Sequence, residues 1–256
     1  MSANVRNTMA KFIAAFLTIG LLVWAWQGME FEPSKLSRAV SGLQRILSDM
    51  FPPDWSQLPN AFRKLLETVR IAIVGTALGL IFALPLSFLA ARGTVIPMFF
   101  STIIKTILNM IRAVPIIIFA VVFAGMVGLG PFPGALAVGV GSFVMLTKLF
   151  AETLEGAHPA PIEAVKAVGG SPLQVFAYGM LPQALPQFLS QIIYAWEINI
   201  AAATVTGILG AGGIGYELRT LIGYAQWHQA VVYIIVLIAM VLLADNISYQ
   251  VRKRVN

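Results

Sequence analysis

Cysteine is absent from this 256-residue chain, so no disulfide, thiolate metal centre or cysteine nucleophile is available to it. Histidine is nearly absent as well: His158 and His228 are far apart in sequence and have no metal-ligand spacing. Charge is scarce. Only 11% of the residues are Asp, Glu, Lys or Arg, against about 25% in soluble domains, and a water-facing surface cannot be built from so few. No Walker A sequence occurs, which excludes ATP hydrolysis by the chain itself. Nor does any Ser/His, paired-Asp or metal constellation stand at usable spacing, so no catalytic and no metal-binding residue is expected.

What is abundant is apolar. Hydrophobic residues make up 58% of the chain and the mean hydropathy is +0.83, so lipid must cover most of the exterior. The net charge of +6 is not gathered into the long block that reads nucleic acid, and no nucleic-acid partner is expected. Several cations, among them Arg6, Lys11, Arg92, Arg252, Lys253 and Arg254, sit beside apolar segments instead. The positive-inside tendency puts them there.

A membrane-crossing helix needs about 20 mostly apolar residues. The expected fold is all-α and polytopic, with about six transmembrane helices. The first candidate is 12–26, short, preceded by Lys11 and carrying Trp24 and Trp26 for an interface belt; it is expected to be a retained anchor rather than a cleaved leader. Residues 27–64 are the most polar stretch. Within it, Leu36, Val40, Leu43, Ile46, Leu47 and Met50 recur at helical spacing, which suits a helix lying on the membrane surface or against its own protein.

Further crossings are expected at 69–91, at 96–129 as one long helix kinked at Pro115, at 135–150 with a projecting continuation, at 188–209, and from 230 onwards. The turn Gly130-Pro131-Phe132-Pro133-Gly134 is expected to end the third. This divides the chain into an N-terminal anchor with an amphipathic segment, 1–68, and a membrane core, 69–256, holding a polar loop at 155–186. Six crossings leave both termini on one face, and the basic ends make that face the cytoplasm.

The loop carries the most informative local chemistry. Pro161 fits a first helical position, which would put Glu163 in the first turn, where the helix dipole favours an anion. Ile162, Val165 and Val168 give a very short helix one apolar face. Gly169 and Gly170 can take the left-handed conformation that ends it. Ser171, Pro172 and Gln174 then read as a capping box opening a second helix, with Leu181-Pro182 expected to end that one.

Glu163-Ala164, then Gly169, then Leu181-Pro182 resembles the EAA loop of binding-protein-dependent ABC importers. In that family the loop forms a coupling helix that seats in a groove of the ATPase subunit. The departures are Val165 in place of a second alanine and Gly179 where isoleucine is usual. The resemblance implies a type I ABC importer permease (MetI-like) fold, with Ile162, Glu163, Ala164, Val165, Gly169, Ser171, Leu181 and Pro182 coupling to the motor.

A narrower resemblance, to the permeases of phosphonate ABC transporters, covers nearly the whole chain. Phe51-Pro52-Pro53-Asp54-Trp55-Ser56-Gln57, Gly75-Thr76-Ala77, Gly128-Leu129-Gly130-Pro131-Phe132, Tyr178-Gly179-Met180-Leu181-Pro182-Gln183 and Gly210-Ala211-Gly212-Gly213-Ile214-Gly215 carry it. It implies a bacterial inner-membrane permease for phosphonate, phosphite or a related phosphorus oxyanion, paired with a second copy of itself. An ABC ATPase dimer would use ATP and Mg on the cytoplasmic side, with no cofactor bound by this chain. A periplasmic or lipid-anchored binding protein would deliver the solute, and membrane lipid would surround the pair. The alternative is an ABC importer for an amino acid or another oxyanion. An ion-coupled secondary transporter is disfavoured, because no repeat is evident and Glu197 is the one acid well inside a crossing.

Similar permeases usually carry an arginine within 197–204, where this chain has Ala201. Glu197, Asn199, Ala201, Thr204 and Thr206 are expected along the translocation path or a dimer interface, with Glu197 free to pair with Lys148 or another helix. Gly210, Gly212, Gly213 and Gly215 match a dinucleotide fingerprint letter by letter but follow a membrane helix rather than a strand. They are expected as flexible extracytoplasmic loop beside the outer mouth.

Overall fold

The computed structural model describes residues 3–29, 32–92 and 97–255. The chain divides into two compact units, Met1–Phe51 and Pro52–Asn256. The first holds α1 (Ala3–Gln27) and α2 (Pro33–Asp49). In α2 the apolar Leu36, Val40, Leu43 and Leu47 form one exposed stripe within that unit.

The second unit holds α3 (Leu58–Ala90), α4 (Met98–Ala113), α5 (Ile116–Val127), α6 (Pro131–Glu155), α7 (Pro159–Ala167), α8 (Pro172–Gln174), α9 (Leu181–Thr206), α10 (Gly213–Gly223) and α11 (Trp227–Val255). No strand occurs among the described residues. Four helical stretches are long and apolar enough to cross a membrane: Trp55–Ala90, Pro131–Glu155, Pro172–Ala211 and Trp227–Lys253. The pair α4 and α5, bent at a short break, makes a fifth if the two form one span, and the apolar part of α1, Lys11–Gln27, is shorter. Of the positions used above, Ile96 and the side chains of Arg6 and Arg254 lie outside the described residues.

Where α3 faces α6, mostly small residues are inside while several large ones point outward. Gly75, Thr76, Gly79 and Ala83 of α3 are buried, whereas Ile73 and Ile81 are 51% and 62% exposed. Lipid is as apolar as leucine, so helices gain most by close backbone approach through small residues. A Cβ on Gly75 would stand 2.5 Å from Val138 Cγ1 and 3.1 Å from Ala135 O. Gly139 answers from α6, meeting Leu78. This Gly75-x-x-x-Gly79 seam makes α3 and α6 the tightest helix pair of the unit. At one end of it Phe150 stacks on Phe188 with centroids 4.1 Å apart, amid Leu146, Leu154, Ala184 and Met180.

Three expectations about boundaries change. The third crossing is not one kinked helix: α4 and α5 meet at 80°. Proline forces its predecessor out of the helical region, and Val114 (φ −84°, ψ 120°) and Pro115 (ψ 139°) are both extended, so the helix ends and restarts. The turn expected over 130–134 is confined to Gly128 and Gly130 (φ 89° and 143°); Pro131 opens α6, where a missing N–H costs nothing. The loop 210–228 contains α10, whose Gly213, Ile214, Gly215 and Leu221 are buried.

Candidate coupling surface and membrane-embedded polar groups

At one end of the bundle the segment 156–183 forms a small helical knob. The helix α7 starts at Pro159, two residues before the expected proline, because His158 serves as N-cap and its ring accepts from Ala160 N–H at 3.3 Å. Glu163 therefore lies beyond the first turn, contrary to expectation. The C-terminal stop is as expected: Gly169 has φ 79°, and Gly169 N–H and Gly170 N–H donate to Lys166 O and Val165 O, both at 3.0 Å. These are the two bonds of a Schellman motif. The capping box also forms, with Ser171 N–H donating to Gln174 Oε1 at 2.7 Å and Gln174 N–H to Ser171 Oγ at 3.4 Å.

Leu181-Pro182 does not end the second helix. From α8 the chain runs through a widened turn, Val175–Met180, straight into α9, and Pro182 occupies the first turn of that helix. A proline without an N–H suits a helix start as well as an end. The knob is thus continuous with a membrane helix. Gln183 also ties it down: His158 N–H donates to Gln183 Oε1 at 3.0 Å, and Gln183 Nε2 donates to Gly179 O and His158 O. The sequence reading missed this clamp, although Gln183 stands within the quoted Tyr178 to Gln183 run.

The expected coupling residues come together on this knob. Ile162 and Leu181 are half-buried against the cluster around Phe150 and Phe188, with Phe176 beside them. Gly179, where a larger residue is usual, lets α7 approach closely: a Cβ there would be 3.1 Å from Ile162 Cα. Val165 is half-buried, while Glu163, Ala164, Gly169, Ser171 and Pro182 are exposed. Val168, expected on the apolar face, is instead 84% exposed, and Leu173 and Tyr178 are also exposed. The outcome is an outer surface with exposed Val168, Leu173 and Tyr178 beside one carboxylate, Glu163, and one ammonium, Lys166, on a base held by packing.

The residues expected along the path or a dimer interface fall in different surroundings. Asn199 is buried and donates through Nδ2 to Thr76 Oγ1 at 2.7 Å and to Ser142 Oγ at 2.6 Å, tying α9 to α3 and α6. Those hydroxyls in turn donate to Ala72 O and Val138 O. In hydrocarbon every such group needs an internal partner, and here each hydroxyl has one. Thr204 and Thr206 are buried and spend their hydroxyl hydrogens on Ile200 O and Ala203 O, so neither offers one to a passing anion. Ala201 is exposed. Glu197 pairs not with Lys148 but with Arg252 of α11, at 3.4 Å, and Arg252 lies 5.7 Å over the Tyr194 ring.

The glycine run is neither loose nor flexible. Gly210, Gly212 and Gly213 have φ of 99°, 73° and 71°. The first turn of α10 is held by α3: Gly213 N–H donates to Glu67 Oε1 at 3.0 Å and Ile214 N–H to Thr68 Oγ1 at 2.8 Å. Glu67 in turn meets Lys64 at 3.1 Å, and Lys64 meets Glu217 of α10 at 3.5 Å. A side chain on Gly215 would run into Thr204 O, so glycine here permits contact between backbones.

Residues 83–256, which include every element of the knob, match the family described as binding-protein-dependent transport system inner membrane component. The chain belongs to that family. It is an ABC importer permease, a transport subunit crossing the inner membrane several times. It is 36% identical to the phosphite transport system permease protein PtxC of Stutzerimonas stutzeri over 91% of this chain and 85% of that one. The phosphate-import permease protein PhnE of Mycolicibacterium smegmatis is 32% identical over 99% of this chain and 48% of its own length. Among solved structures, the MetNI methionine ABC transporter in an inward-facing conformation superposes with a TM-score of 0.68 at 22% identity. That match covers 76% of this chain and 95% of the other, and it shows the shared fold.

Proposed function

We propose that two copies of this chain form the pore of an importer for a phosphorus oxyanion of the phosphite or phosphonate type. A separate ABC ATPase using ATP and Mg presses on the knob α7–α8, and a binding protein delivers the anion from the other side. On this reading the knob and both termini face the cytoplasm. One observation carries the substrate assignment: likeness to PtxC runs over 91% of the chain, well beyond the residues 83–256 shared with the wider family.

The coupling role is supported by rigidity. A knob fixed by a Schellman stop, a capping box and the Gln183 clamp transmits a push, whereas a loose loop absorbs it. Its exposed Val168, Leu173 and Tyr178 suit an apolar groove on a partner, with Glu163 supplying one charged contact. The test is reconstitution with the ATPase and binding protein, comparing ATP-driven uptake of phosphite, phosphonate, phosphate and an amino acid. Uptake of the phosphorus anions alone is expected. Uptake of the amino acid alone would overturn the substrate assignment while leaving the coupling role intact.

A further inference from the structure

The helices α4 and α6 run past each other in opposite directions, and several of the residues facing across them are polar. At the knob end, Lys105 Nζ pairs with Glu155 Oε1 at 2.6 Å, and Arg92 N–H donates to the same oxygen at 2.6 Å. One turn along, half-buried Lys148 donates to Asn109 Oδ1 at 2.5 Å. Another turn along stands Arg112, lining a cavity of about 270 Å³ with Val114, Pro115, Val144 and Met145 at the elbow between α4 and α5. Asn109 and Arg112 are three positions apart on α4, and Met145 and Lys148 three apart on α6, so all four share the facing sides of the two helices.

The charge on this strip does not balance. Glu155 answers Lys105, but among the described residues neither Lys148 nor Arg112 makes an ion pair. Glu152, one turn from Lys148 on α6, makes none either. Lys148 lies seven residues from Glu155, the last residue of α6, roughly 10 Å along the helix. Its ammonium is turned onto an uncharged amide. Ionisable groups within a membrane-crossing helix face a pathway or a partner. Exposed Arg112 lines the elbow cavity, and the Lys148–Asn109 pair stands about one turn away along the same strip, outside the cavity's lining.

We infer that Arg112, Lys148 and Asn109 form a way-station for the transported oxyanion at the α4–α5 elbow. The guanidinium fork engages two oxygens of a tetrahedral phosphorus group and the ammonium engages a third. This deepens the phosphorus-oxyanion reading and rests on it.

The test uses the full transporter, with its ATPase and binding protein, in phosphatidylcholine vesicles free of anionic lipid. Phosphite uptake and ATP hydrolysis are measured for the wild type and for Arg112→Gln, Lys148→Gln and Lys148→Arg. Each Gln variant is expected to lower the maximal uptake rate about tenfold or more, the size of one lost charge-assisted hydrogen bond. The half-saturating phosphite concentration, set by the binding protein, and ATP hydrolysis stay near wild type. Lys148→Arg restores most of the uptake. Loss of ATP hydrolysis together with uptake would mark a structural role and overturn the inference, as would wild-type uptake in both Gln variants. A defect that appears only after anionic lipid is added would assign the cations to lipid headgroups and overturn it equally. A wild type that carries the amino acid but no phosphorus anion would instead overturn the substrate reading, and the site with it.

Discussion

Valine at position 169 separates backbone conformation from packing. Gly169 has φ 79°, and a Cβ built there meets nothing within 4 Å. Sterics with the surroundings therefore contribute nothing, and the whole cost is local. A non-glycine residue in the left-handed region costs about 1–2 kcal/mol, more for a β-branched one. That cost opposes the two cap bonds at 3.0 Å, which hold the last turn of α7. At about 1.4 kcal/mol per factor of ten, Gly169→Val shifts the ratio of capped to frayed α7 by about tenfold to thirtyfold. The exposed position leaves the membrane bundle and its melting temperature nearly unchanged. In proteoliposomes, anion uptake per ATP hydrolysed is expected to fall in proportion to the capped population, by up to about tenfold when capped and frayed α7 are near balance in the unsubstituted protein. Gly169→Asn, which tolerates the left-handed region, keeps most of the coupling. Equal transport stoichiometry for valine, asparagine and glycine would refute the argument that the stiffness of this stop carries the stroke.

Other substitutions test the bundle. Asn199→Leu removes two hydrogen bonds but leaves Thr76 and Ser142 bonded to their own helices. It should cost only about 1–2 kcal/mol in denaturant unfolding from detergent, and a loss above about 4 kcal/mol would contradict that accounting. Gly75→Val drives a side chain into Val138 and should cost about 3 kcal/mol or more, read as lost folded yield, with Gly75→Ala intermediate. Thr68→Val and Glu67→Ala each remove an acceptor from the start of α10, worth about 1 kcal/mol apiece. Hydrogen exchange at Gly213 and Ile214 should speed up several-fold, while exchange in α3 and α6 stays slow.

The knob was legible in the sequence because its chemistry is local. A glycine pair stops one helix and Ser171-x-x-Gln174 starts the next, all within a few residues. Its start was misplaced because two prolines, Pro159 and Pro161, both suit a first turn and the His158 cap decides between them. The fate of Asn199 was not legible: Thr76 and Ser142 lie 123 and 57 positions away, and an amide inside an apolar helix reads equally as pathway or as tie. For the same reason α10 was taken for loose loop. Its capping groups, Glu67 and Thr68, stand 146 positions earlier in the chain. Apolar length is a one-dimensional property, so the long apolar helices were legible, but about six crossings were expected where four or five stand among the described residues, and the angle at Pro115 belongs to packing.

That angle bears on how the pore moves. Two successive extended residues, Val114 and Pro115, interrupt the helical ladder between α4 and α5. No intrahelical bond spans the corner, so turning about ψ of either residue swings one rod against the other without stretching a hydrogen bond. A continuous helix would have to bend as a whole or rupture. Tilting α4 against α5 would therefore cost only what the two rods lose where they slide against their neighbours.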